Sequence, residues 1–357
     1  MSETREIKDS SLGEAPSNTG KVVAADNAIA HDAVFGEITE DGPNYRSVGW
    51  LGTSVLMMKT QMGLGVLSIP SILDTMGIIP GVILICVISG ITTWSDFIVG
   101  TFKLRHPEVY GVDDAGELMF GWIGREIFGA GFCLFFTFTS GSAMLSISIA
   151  LNALSMHATC TAVFVAVAAI IGFGFSSLRT LGRISWLAWV GVTSIIVAVL
   201  TVTIAVGLQD RPAAAPKDIP WKSDFKLVGS PTFAEAIAAI SALVFSYAGT
   251  PAFFSIVAEM REPKHYTRAL ILCQSVVTLV YVAVGAVVYY YCGSYVSSPA
   301  LGSAGPSVKK VAYGLGLPGL IVSAAVLLHV CIFTPPRGSE WKLIDCSCPA
   351  STYLSES

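Results

Sequence analysis

The chain alternates between stretches that are almost wholly apolar and short polar connections, and the apolar stretches are about as long as a bilayer is thick. From Val48 onward they cover about 48–72, 77–100, 126–153, 158–176, 185–207, 232–257, 267–292 and 310–333. A helix rises about 1.5 Å per residue, so some twenty residues cross the roughly 30 Å of hydrocarbon. The pattern predicts an all-α fold, a polytopic transmembrane helical bundle of eight spans occupying residues 47–333. An even number of spans returns the chain to its starting side.

Outside these blocks the chain is polar. Residues 1–46 carry nine acids and four bases without sustained periodicity. Such an arm buries too little surface to offset its ordering entropy, so a disordered tail is expected there. It contains no apolar core of a signal peptide, which leaves the first span to direct insertion. A second polar tail is expected over 334–357, where Cys346 and Cys348 lie close together.

Composition agrees with a lipid-embedded chain: 53% hydrophobic and 13% charged, against roughly a quarter charged in soluble domains. A net charge of −4 with scattered bases gives no nucleic-acid footprint. Most of the eight cysteines lie inside apolar blocks, without a CxxC pair or a nearby histidine at metal-ligand spacing, so no metal or cofactor is expected. Short loops carrying Lys103, Arg105 and Arg125, then Arg179 and Arg183, then Arg261, Lys264 and Arg268 fall on one side, which predicts a cytosolic amino terminus.

Two spans contain residues that a continuous helix avoids. The first reads Lys59-Thr60-Gln61-Met62-Gly63-Leu64-Gly65-Val66-Leu67-Ser68-Ile69-Pro70, and the sixth reads Ser246-Tyr247-Ala248-Gly249-Thr250-Pro251. Main-chain groups released from helical bonding in hydrocarbon cost several kcal/mol each unless they line a cavity or meet a partner. Two such breaks point to a polar site whose free N–H groups suit a carboxylate and whose free carbonyls suit an ammonium or cation. Their places in spans one and six fit two five-helix repeats related by an in-plane pseudo-twofold axis. The competing reading is that glycine and proline are simply commoner in membrane helices, where small residues ease packing.

The run at 59–70 resembles the first-helix signature of the amino acid/auxin permease family, above all its fungal neutral amino acid permeases. Ser246-Tyr247-Ala248-Gly249 followed by Ala258-Glu259-Met260-Arg261-Glu262-Pro263 is similar to the sixth helix and exit loop of that family. The likeness covers about residues 45 to 330. It implies a LeuT-like fold with inverted repeats and broken helices 1 and 6, and secondary active transport of amino acids across a plasma or vacuolar membrane. It places substrate binding at Gly63, Leu64 and Gly65, opposite Ser246, Tyr247 and Gly249. The family normally has eleven helices, so about eight are expected here, and the second repeat is expected to be incomplete.

Lys59 stands where sodium-coupled relatives resemble one another in having an asparagine that helps to hold the ion. About ten positions into the first span, a lone charge costs a few kcal/mol or more. An ammonium can take the sodium's place, and a desolvated lysine gives up its proton more readily than a solvated one. This favours proton over sodium coupling; the alternative is that Lys59 snorkels to the cytosolic face. Asp74 and Glu259 are further coupling candidates, with a solvated helix end and an interfacial ion pair as their respective alternatives. His329 is a weaker candidate, and Tyr289-Tyr290-Tyr291 reads as an interfacial anchor. No GxSxG, HExxH or paired acids within a span suggest an enzyme. The remaining rival is a non-transporting relative that binds an amino acid as a sensor or regulatory subunit.

Overall fold

The computed structural model describes residues 30–32, 36–38, 48–63, 65–156, 158–176, 181–209, 211, 212, 215 and 221–333. Within the arm expected to lack structure, β1 (Ala30–Asp32) and β2 (Gly36–Ile38) pair antiparallel, with Ala30 opposite Ile38. Most of that arm, and the whole polar tail expected at 334–357, lies outside the described residues.

Ten helices follow among the described residues: α1 (Trp50–Gln61), α2 (Ile69–Met76), α3 (Ile78–Arg105), α4 (Val112–Ser155), α5 (Thr161–Ser176), α6 (Leu181–Leu208), α7 (Phe233–Ser246), α8 (Thr250–Ala258), α9 (Tyr266–Cys292) and α10 (Pro306–Phe333). The first span is the broken pair α1 and α2, and the sixth is the pair α7 and α8. Among the described residues, six helical stretches are long and apolar enough to cross a membrane.

The helices face two environments. α3 turns Ile79, Ile83, Val87, Ile91, Trp94 and Ile98 outward and Gly81, Ile85, Ser89, Asp96, Gly100 and Lys103 inward. So much exposed aliphatic surface is unfavourable in water and natural in lipid. By contrast α1 is buried on every side from Thr53 to Gln61 apart from Thr60, as expected of a helix at the centre of a bundle. It packs on α6, α8 and α9.

The third span begins earlier than its hydropathy suggests. Asp114 accepts from the N–H groups of Tyr110 and Gly111, at 2.8 and 3.3 Å, which starts α4 well before residue 126. At Gly121 the backbone leaves helical geometry with φ 67°. The two sides of this kink touch, and Arg125 pairs with Glu117 at 2.9 Å. The acids in this first segment lower its mean hydropathy, although its Leu118, Met119, Phe120 and Trp122 face outward.

Main-chain clasps hold both ends of the broken first span. Before α1, Val48 donates to the Glu259 carbonyl at 3.4 Å and accepts from the Arg261 N–H at 2.8 Å, which ties it to the exit of α8. At the opposite end Ile78 and Ile79 donate to the Lys226 and Leu227 carbonyls, and Gly229 donates to Met76. This second clasp belongs to the long loop before α7. Ser223 donates to the Tyr290 carbonyl, and the Tyr289 hydroxyl accepts from the Lys226 N–H at 3.0 Å. Tyr289, expected at the membrane surface, is therefore buried under the loop; Tyr290 and Tyr291 remain partly exposed.

Candidate functional site

Both breaks occur where the sequence places glycine ahead of proline. α1 ends at Gln61, a 3₁₀ turn covers Gly65–Leu67, and α2 restarts with Pro70 in its first turn. α7 ends at Ser246 and α8 restarts at Thr250 with Pro251 in its first turn. Proline suits a helix start because its missing N–H has no helical partner there.

The two breaks lie against one another. A Cβ on Gly65 would fall 2.9 Å from Ser246 Cβ and 3.0 Å from Ser246 Cα, and one on Gly249 would fall 2.6 Å from Thr60 Oγ1. Only glycine permits so close an approach. From α9 the Tyr281 hydroxyl reaches both released helix ends, 3.0 Å from the Gln61 carbonyl oxygen and 2.9 Å from that of Ser246. Released backbone thus finds a partner inside the bundle, as hydrocarbon surroundings require.

Between the breaks lies a cavity of about 30 Å³, room for a water or two and smaller than any amino acid. Lys59, Thr60, Gln61, Gly63 and Gly65 form one wall, and Phe245, Ala248, Gly249 and Ala252 face them. Phe135, Phe136 and Thr139 of α4 and Ser323 and Leu327 of α10 close the remainder. Lys59 is 1% exposed and Gln61 2%. Among the described residues, neither the Lys59 ammonium nor either polar atom of the Gln61 amide has a hydrogen-bond partner. Buried groups of this kind are normally paired.

Of the residues assigned to substrate from sequence, Gly63, Gly65 and Gly249 line the cavity. Leu64 lies outside the described residues. Ser246 turns back on its own helix, donating to the Ala242 carbonyl at 2.8 Å, and sits 3.4 Å from Ser68 Oγ. Tyr247 points toward α3 and α9, where its hydroxyl lies 3.1 Å from Thr278 Oγ1 and its ring packs edge-on against Tyr281.

The coupling candidates separate. Lys59 lines the cavity, whereas Asp74 and Glu259 do not. Asp74 is partly buried on α2, toward the loop residues Asp224 and Lys226. Glu259 is buried at the exit of α8, where its main chain takes part in the Val48 clasp. His329 is also buried, with Nδ1 3.2 Å from the Ser176 carbonyl oxygen.

Three features escape the sequence reading. Gln61 stands in the quoted motif without being singled out, Tyr281 is one tyrosine in an apolar helix, and Asp96 is an acid within the 77–100 block. For Asp96 a signal existed, since an acid in the middle of a span is costly and marks function by default.

Comparison with known proteins gives this geometry a context. Residues 46–342 match the family described as transmembrane amino acid transporter protein, beyond the His329 limit of the likeness read from sequence. A transmembrane transporter of Gibberella moniliformis is 34% identical over 310 residues, covering 85% of this chain and 65% of the relative. One from Fusarium pseudograminearum is 33% identical over 290 residues, covering 81% and 61%. The N amino acid transport system protein of Neurospora crassa is 33% identical over 300 residues, covering 81% and 62%. The chain thus spans a little under two thirds of the length of these relatives.

Proposed function

The chain belongs to the transmembrane amino acid transporter protein family, and from that premise we propose that it carries neutral amino acids across a membrane by proton symport. The observation that carries this reading is the cavity between the two helix breaks, into which an unpaired ammonium and an unpaired amide are buried. A zwitterion answers both: its carboxylate suits Lys59 and the Gln61 N–H₂, and its ammonium suits carbonyl oxygens of the broken backbone. Phe135, Phe136, Phe245, Ala248, Ala252 and Leu327 leave an apolar remainder, with no acid lining it among the described residues. That lining favours substrates with uncharged side chains.

Lys59 carries the coupling proton in this reading. An ammonium supplies fixed positive charge where a bound cation would otherwise be needed, and its charge is best accommodated when a substrate carboxylate is present. Proton and substrate then bind in support of one another, which is the thermodynamic requirement for symport. At about 30 Å³ the cavity is too small for an amino acid, so in this reading substrate entry requires the bundle around it to open. The basic side chains near the end of α3 and the start of α9 support a cytosolic amino terminus, in a plasma or vacuolar membrane.

The test is uptake of labelled neutral amino acids by the 357-residue chain in liposomes, with and without an inward proton gradient and with a Lys59→Ala variant alongside. Gradient-driven accumulation that the substitution abolishes supports the reading. Binding without accumulation by well-folded protein assigns the chain to sensing instead.

A further inference from the structure

Asp96 is the residue that the site description leaves unused. It is 0% exposed, on the inward face of α3. Its carboxylate accepts from Thr250 Oγ1 at 2.6 Å and from Gln274 Nε2 at 2.8 Å. Its own carbonyl accepts from the Tyr266 hydroxyl at 2.8 Å, and the Tyr266 ring fills the space over Gly100. Thr250 is the first residue of α8, so the carboxylate grips the inner half of the broken sixth span at its hinge.

The neighbours of Asp96 include no compensating charge. From α9 the ionisable groups facing it are Tyr266 and Cys273. α8 contributes none, since Thr250–Ala258 contains no ionisable residue, and the only one on α7 is Glu235 in its far first turn. On α3 itself Lys103 is two turns away, bonded to the carbonyls of Pro107 and Val109. Among the described residues no cation pairs with Asp96, whose partners are the two neutral donors.

One of those donors can serve either form of the acid. Gln274 gives its N–H₂ to Asp96, while its Oε1 is buried without a partner among the described residues. A protonated carboxyl has an O–H to donate, and a side-chain amide turned over presents its oxygen to receive it. The Thr250 hydroxyl can likewise donate to the neutral acid or accept from it, but in either case its bond loses the carboxylate's charge, and hydrogen bonds between neutral groups are roughly half as strong.

We propose that Asp96 and Gln274 form a proton-binding site that controls the hold of α3 on the start of α8, so that taking up a proton there loosens the inner half of the sixth span. The inference rests on the transport reading only for its purpose, not for its chemistry. The proton passes from water to the Asp96 carboxylate, giving the neutral acid, and returns to water when the grip re-forms. No other bond changes.

The test follows the protonated-carboxyl stretch by infrared difference spectroscopy while the reconstituted full chain is titrated from neutral to acid pH, comparing wild type with Asp96→Asn. A component present in wild type and missing from the variant is expected; identical spectra overturn the proposal. Thr250→Val and Gln274→Leu each remove one donor to the charged form and are expected to move that component about one pH unit higher. Should Asp96→Asn fail to fold, an unmoved titration in both of these variants overturns the proposal on its own. Substrate exchange between the two sides, measured in parallel, is expected to lose in Asp96→Asn the part of its pH dependence that follows this infrared component and to keep the part due to Lys59. Absence of any transport by wild type counts against the transport reading and leaves the spectroscopic result to decide the proton site.

Discussion

Lys59 lies directly against Gly191: a Cβ added to that glycine of α6 would fall 2.9 Å from Lys59 Cε. The lysine stem therefore lies in a slot that glycine leaves open. Gly191→Ala is expected to lower gradient-driven uptake severalfold and, because its Cβ also falls 3.0 Å from Val322 Cβ and Cγ1 on α10, to lower the melting temperature too, as read by transport assay beside thermal unfolding in detergent.

Removing the charge separates stability from function. Lys59→Met keeps a long unbranched side chain in the slot and discards a buried ammonium whose insertion costs a few kcal/mol. The variant is expected to melt several degrees higher in detergent and to lose accumulation against a gradient. A lower melting temperature would mean that the ammonium is paired in the protein as it exists in the membrane.

Tyr281→Phe deletes the hydroxyl that meets the released carbonyls of Gln61 and Ser246. Leaving buried acceptors unserved costs about 1–3 kcal/mol, so the melting temperature should fall measurably. Substrate affinity, read by binding isotherm, should weaken with it.

Gly65→Ala tests the contact between the breaks. Its methyl group meets the Tyr281 hydroxyl at 2.7 Å and the Ser246 backbone at 3.0 Å, and neither the main chain nor a hydroxyl held at two carbonyls can move freely. Uptake is expected to drop to background, whereas Gly131→Ala, with open space around its Cβ, should behave as wild type.

Beyond the helix ends, Asp224 fastens the loop that forms the second clasp, accepting from the Ser294 N–H at 2.9 Å and its hydroxyl at 2.5 Å. Partial burial pushes its carboxyl up, but the Ser294 hydrogen bonds, with its own backbone N–H and the nearby Lys226 charge, together outweigh it and hold the group below the usual carboxylate range. A depressed value in the folded chain means that the stabilisation is complete at neutral pH and is lost as pH falls through that value. Hydrogen exchange over 221–229 should stay slow until strongly acid pH in wild type, and should already be fast at neutral pH in Asp224→Ala.

The spans were legible because lipid imposes a length and a composition, and the breaks were legible because Gly63, Gly65, Pro70, Gly249 and Pro251 have few other uses inside a helix. Lys59 announced itself by charge. The early start of α4 was hidden by Asp113, Asp114 and Glu117, which dilute an apolar segment lying across a kink from the rest. The far walls of the cavity were not legible at all. Phe135, Phe136 and Thr139 on α4 and Ser323 on α10 look like any other residues of their helices, and only packing brings them to the breaks. Tyr247, adjacent to the motif in sequence, turns away toward Thr278 for the same reason.

The Tyr281 phenol has a single hydrogen and lies between two carbonyl acceptors. It can give only one of them a full linear bond, or share itself between both in a weaker three-centre bond, so the two acceptors together hold less than two dedicated donors would give them. Were α1 and α7 to separate, the hydroxyl could follow either one, giving up only one of the two contacts. A single shared hydrogen therefore makes this junction easier to part than two dedicated donors would.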